Sequence, residues 1–207
     1  MRRIQTKNIN TPGYWNGVFS KGDYSRPSQD TTKVVDVSNH IELGKSVIDL
    51  GCGLGHFLSY IKNNRVCDCT GVDYSAYQIR TLQNKYPSIK WICADVTDTK
   101  IKDEFDYVLS FETLEHLDNP EDLVAEMARL TKQNGKALLT TPYQNRIPSS
   151  EHVWQFTYKD LEKMFYKYYR WIWVSPWASG ARVENTKTKD IIYPCGNWDT
   201  ILVKAIK

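Results

Sequence analysis

The chain has 207 residues, 41% of them hydrophobic and 25% charged, enough for one domain with a full core and too few for two. Its formal charge of +3 at pH 7 comes without a long run of Lys or Arg, so nothing indicates a polybasic tail for nucleic acid or a membrane surface. The five cysteines, Cys52, Cys67, Cys69, Cys93 and Cys195, include no Cys-x-x-Cys pair and several fall in expected core strands, which argues for reduced thiols and a cytoplasmic setting.

Residues 1–10 are polar and read as a loose arm without the apolar core of a leader. Residues 11–19 are aromatic, and Tyr14, Trp15 and Phe19 either pin the arm to the core or lid a ligand. In residues 27–41, Val34, Val37 and Ile41 share one side of a helix preceding the sheet. Residues 46–50 form a buried strand running into Gly51-Cys52-Gly53-Leu54-Gly55 and then a helix with Leu54, Phe57, Leu58 and Ile61 at helical spacing. The glycines let the backbone turn sharply and approach a ligand, and the helix aims its free amides at the same spot. The third glycine comes one residue too early for a dinucleotide fingerprint, and Asp49 just before the turn would repel a pyrophosphate but attract a cationic ligand.

The run Asp49-Leu50-Gly51-Cys52-Gly53-Leu54-Gly55 resembles the cofactor loop of the class I S-adenosylmethionine-dependent methyltransferases, of the small-molecule kind. The resemblance implies S-adenosyl-L-methionine as cofactor, S-adenosyl-L-homocysteine as product, and a cradle in which Asp49, Gly51, Cys52 and Gly53 hold the cofactor.

Residues 67–73 are a second strand, ending in Asp73 about twenty residues past the glycines, where an open α/β sheet places an acid for ribose hydroxyls. Ser75 is the better cap for the next helix, and Tyr74 either stacks on the adenine or is a plain surface aromatic. Residues 89–93 are a third strand, followed by Asp95 and Val96, at which the resemblance implies contacts to the adenine amino group and ring. Asp95 also suits a plain turn at a strand end. Residues 105–110 are a fourth, doubly buried strand leading to Phe111, Glu112, Glu115 and His116. The resemblance places the methyl-bearing end of the cofactor at this segment, so Phe111 joins the cofactor residues. Glu112 and His116 become candidate catalytic groups, against the plainer reading of a helix start. No Asn-Pro-Pro-Tyr or Asp-Pro-Pro-Tyr pattern occurs here, which disfavours a DNA adenine acceptor.

Asn119 and Pro120 start a helix expected to run to Asn134-Gly135, and a fifth strand follows over residues 137–141. Aromatic residues then crowd between Tyr143 and Trp177. His152 precedes a helix with a capping box from Thr157 to Asp160, and is the third candidate catalytic group, in a pattern resembling related small methyltransferases, against the plainer reading of a satisfied structural histidine. Residues 171–177 and 198–206 are the last strands, the final one antiparallel, around a Lys-rich hairpin at 181–190. The four histidines, His40, His56, His116 and His152, show no ligand spacing along the chain, so no metal is expected.

The whole reads as a single α/β domain, Rossmann-like and doubly wound, with a seven-stranded, mostly parallel sheet and an antiparallel last strand. It divides into an arm and helix at 1–44, a cofactor-binding half at 45–142 and a substrate-side half at 143–207. The expected activity is methyl transfer to an oxygen or nitrogen of a small metabolite, such as a sugar or natural-product intermediate, with no nucleic-acid or membrane partner. An RNA or protein methyltransferase, or an inactive cofactor-binding scaffold, are the alternatives.

Overall fold

The computed structural model describes residues 1–22, 37–144, 149–177 and 200–207. In chain order these give β1 (Arg2–Arg3), α1 (Pro12–Lys21), β2 (Ser46–Leu50), α2 (His56–Arg65), β3 (Asp68–Asp73), α3 (Ala76–Lys85), β4 (Lys90–Cys93) and β5 (Phe105–Phe111). After a 3-10 turn (Leu114–His116) come α4 (Pro120–Leu130), β6 (Thr131–Pro142), β7 (Trp154–Gln155), α5 (Tyr158–Phe165), β8 (Trp171–Trp177) and β9 (Thr200–Ile206). Seven strands make the main sheet in the order β4-β3-β2-β5-β6-β9-β8. β9 lies antiparallel to β6 and β8, and the remaining neighbours pair in parallel.

Period-two alternation splits each central strand between two cores. Ile48 and Leu50 of β2, Val108 of β5 and Leu139 of β6 enter one, under α4 and α5. Val47, Tyr107, Leu109 and Leu138 enter the other with Leu58, Ile61, Ile79 and Leu82 of α2 and α3. Burial on both faces is why the middles of these strands are largely apolar. The chain leaves β2 toward β3 and β4, then crosses back to β5 and β6. The reversal of strand order between β2 and β5 opens a crevice at their carboxyl ends.

Local chemistry sets several boundaries. Ser75 caps α3 by accepting the Gln78 amide, and Thr157 and Asp160 complete both halves of the capping box on α5. Asn119 precedes α4 as expected, but its side chain makes no capping bond. That helix stops at Leu130 rather than at Asn134-Gly135. Thr131 turns the chain into β6, its hydroxyl donating to the Met127 carbonyl over 2.6 Å.

The first ten residues are not a loose arm. β1 pairs antiparallel with β7, the Ile4 amide donates to the Val153 carbonyl at 2.8 Å, and the Met1 amino group pairs with Asp160. The aromatic leader is helix α1, capped by Thr11. It packs on the start of α3, where Asn16 Oδ1 accepts from the Ser75 hydroxyl and the Tyr77 amide. The hairpin at 181–190 and most of the helix at 27–41 lie outside the described residues, though Val37 and Ile41 are buried in the second core. Among the described residues no helix is long and apolar enough to cross a membrane.

Candidate active site

A cavity of about 730 Å³ occupies the crevice, and all twelve residues singled out in the sequence line it. The β2–α2 turn forms one wall. Gly51 sits at φ +85°, and a Cβ there would fall 2.2 Å from Thr113 Oγ1. Gly53, also at positive φ, has open space where a Cβ would point, which leaves its backbone accessible to a ligand. Leu54 lies on the turn rather than in α2.

Asp49 is 3% exposed, and its Oδ1 is buried without a hydrogen-bond partner. Burial, and secondarily the charge of Asp73, pushes its carboxyl up to about 7. An orphaned carboxylate oxygen facing a cavity is a site for a cation or a donor. Asp73, at the end of β3, accepts the Gly53 amide on Oδ2 and the Ser75 amide on Oδ1, both at 2.9 Å. It therefore ties the glycine turn to the α3 start. Burial still raises its pKa, with those amides pulling it back. Each oxygen keeps a second lone pair for hydroxyls.

At the next strand end, Asp95 Oδ1 accepts the Thr97 amide and hydroxyl at 2.9 and 2.7 Å, the turn-forming use the sequence left open. Val96 is buried, and Tyr74 is 38% exposed at the rim. Phe111 meets Phe57 edge to face at 4.7 Å.

The far end of the cavity is built on the 3-10 turn after β5. Glu112 lies there at φ +49°, exposed. His116 Nδ1 is 3.0 Å from the Glu151 carbonyl oxygen, which can only accept, so Nδ1 carries the hydrogen and Nε2 is left bare. Burial lowers the His116 pKa, opposed by Glu151 and Glu112, in keeping with a neutral ring. His152, buried, brings its ring within 5.1 Å of the His116 ring. Trp15 of α1 packs edge-on against His116 at 5.5 Å and lines the cavity with Phe19, so the leader both pins and covers.

The roles of Asn8 and Asn10, and the partner of Tyr14, escaped the sequence reading. Asn8 donates to the His116 carbonyl and Asn10 to the Glu151 carbonyl, at 3.0 and 2.8 Å, while the Tyr14 hydroxyl donates to Glu151 Oε1 at 2.6 Å. Nothing local in a polar arm signals partners more than a hundred residues away. The absence of ligand spacing was likewise a one-dimensional reading, because the fold brings Glu115, His116 and His152 within 4.8 Å of one another.

These features fit the cofactor suggested by the glycine loop: a buried anionic oxygen for its ammonium, an open glycine, a carboxylate at the neighbouring strand end, and room for a second molecule beside it. Residues 48–139 match the family described as "Methyltransferase domain". A ubiquinone biosynthesis O-methyltransferase from Dechloromonas aromatica is 30% identical over 72% of this chain and 67% of its own length. The chain spans less than half of several plant methyltransferases that it also matches. A putative methyltransferase solved with the Trm112 activator of Haloferax volcanii superposes with TM-score 0.75 at 16% identity, over 98% of this chain and 99% of that one. The N-methyltransferase NodS from Bradyrhizobium japonicum, solved with S-adenosyl-l-homocysteine, gives 0.69 at 14% identity over 96% and 98%. The chain belongs to the class I S-adenosylmethionine-dependent methyltransferases and is an enzyme that uses that cofactor.

Proposed function

We propose that this enzyme methylates an oxygen or nitrogen atom of a small metabolite, such as a sugar or natural-product intermediate, held between the turn after β5 and α1. The observation that carries the reading is continuity. One cavity joins the glycine turn, Asp49 and Asp73 to Glu112, His116 and His152, and Trp15 and Phe19 wall it in. An aromatic-walled cavity of this size suits a small acceptor better than an extended polymer. Relatives named for ubiquinone biosynthesis and as an (S)-coclaurine N-methyltransferase support a small acceptor. The described cysteines, Cys52, Cys67, Cys69 and Cys93, are free, which supports the cytoplasmic setting.

The cofactor supplies a methyl carbon already activated by a sulfonium. Asp49 supplies negative charge for the cofactor's cationic groups, Asp73 orients its ribose while holding the glycine turn, and Asp95 and Val96 border the adenine. The chain's remaining task is alignment and exclusion of water, which can account for most of the acceleration. Where the acceptor must lose a proton, Glu112, His116 and His152 are candidate bases among the titratable groups at that end, which also include Glu115.

Calorimetry with S-adenosylmethionine, then mass spectrometry across a panel of hydroxyl- and amine-bearing metabolites, tests the proposal. Cofactor binding and a gain of one methyl on a small acceptor are expected. Turnover only on RNA or protein, with none on small molecules, would overturn the substrate class.

A further inference from the structure

We propose that Glu115, His116 and His152 form a binding site for one divalent transition-metal cation at the acceptor end of the cavity. The inference rests on reading that end as the acceptor pocket, and it gives His116 and His152 the part of ligands.

The first argument is an unmet electrostatic demand. Glu115 is 1% exposed, and Oε1 has no hydrogen-bond partner. Across from it, 3.8 Å away, stands His116 Nε2, too far for a hydrogen bond. Because Nδ1 has committed its hydrogen to the Glu151 carbonyl, Nε2 presents a lone pair. Two lone pairs at this separation repel unless a proton on the carboxyl or a metal cation between them relieves it. His152 offers a third ligand atom within 4.8 Å of the others.

Orientation from behind is the second argument. Metal-bound histidines donate their other ring N–H to a carbonyl or carboxylate, and bound carboxylates are themselves hydrogen-bonded. Here His116 Nδ1 meets the Glu151 carbonyl at 3.0 Å, and Glu115 Oε2 accepts from the Thr141 hydroxyl at 2.8 Å. The Glu151 backbone is fixed in turn by Asn10. Both groups are thus held from behind, with their other ligand atoms 3.8 Å apart.

Two imidazoles and one carboxylate are the donor set of borderline cations such as Zn²⁺, Co²⁺ and Mn²⁺, and three protein ligands leave a position open. Metal bonds of about 2.1 Å place two ligand atoms roughly 3.4 Å apart, so the 3.8 Å between Glu115 and His116 needs a small closure and the spread of up to 4.8 Å over all three groups a larger one. All three residues line the cavity, so an acceptor hydroxyl taking the open position would be acidified and its proton would pass to Glu112 at the same end.

The test uses the full chain, stripped with chelator and dialysed against Zn²⁺, with bound metal counted by plasma mass spectrometry. Co²⁺ absorption then reports coordination. One equivalent is expected, with visible bands of four- or five-coordinate Co²⁺. Glu115→Gln, which keeps the Thr141 contact, and His152→Asn should each weaken binding at least tenfold. His56→Asn, placed in the other half of the cavity, should leave it unchanged. Cofactor affinity, measured separately by calorimetry, should hold in the first two variants and shows their pockets to be folded. Failure of the wild type to retain one equivalent, or equal retention by Glu115→Gln and His152→Asn, would overturn the site. Loss of cofactor binding by the wild type would instead overturn the enzymatic reading.

Discussion

Asp49→Asn isolates the electrostatics of the cofactor cradle. The folded protein holds this carboxyl at about 7 against an ordinary 3.8, chiefly by burial. A carboxyl whose pKa is raised by folding binds its proton more tightly in the folded state. Its contribution to stability is therefore intact below pH 3.8, declines as pH rises toward 7, and is fully lost above that. At 1.36 kcal/mol per pH unit the interval amounts to at most about 4 kcal/mol. Asn is nearly isosteric with the protonated acid and does not ionise, so the variant without cofactor should be more stable at pH 8 by roughly 1–4 kcal/mol. In a chain of this size each kcal/mol moves the melting temperature by about 2–4 °C. The gain should shrink steadily and vanish near pH 4. Cofactor affinity should move the other way, falling at least about tenfold at pH 8, because the charge proposed to face the cofactor's cationic groups is gone. Differential scanning calorimetry at pH 4, 6 and 8 and titration calorimetry with S-adenosylmethionine measure both. A melting shift independent of pH, or an unchanged affinity, would refute the reasoning.

Asp73→Ala removes the acceptor for the Gly53 and Ser75 amides as well as the proposed ribose partner, and cofactor affinity should fall at least about tenfold in calorimetry; an unchanged affinity would remove Asp73 from the site. Gly51→Ala meets both a positive φ and the Thr113 side chain, so urea denaturation should show a loss of about 2–4 kcal/mol, only partly recovered by adding Thr113→Ala. Glu126, 5% exposed, accepts from the Thr99 amide and hydroxyl and pairs with Arg129 through both oxygens. Glu126→Gln should cost about 1–3 kcal/mol by the same measurement, and a neutral result would mean that network contributes nothing net.

Local rules made much of this protein legible. The apolar runs of β2 and β5, the glycine turn, the Ser75 cap and the Thr157–Asp160 box depend on neighbours a few residues away, and each stands where the sequence put it. The end of α4 was misread because Asn134-Gly135 is a strong stop signal, whereas Thr131 acts through a buried hydroxyl and pairing with Phe105. The arm was misread because polarity is the signature both of a solvated tail and of side chains reaching distant carbonyls, as Asn8 and Asn10 do.

Sequence alone thus determined the sheet, the helix faces and the cofactor loop, since periodicity, caps and glycine freedom are properties of short segments. Tertiary structure decided which charges are left uncompensated. That Asp49 and Glu115 each keep a buried oxygen without a partner, and that His152 comes to stand beside His116, follows from strand order and from loops closing over long separations, and no spacing along the chain encodes it.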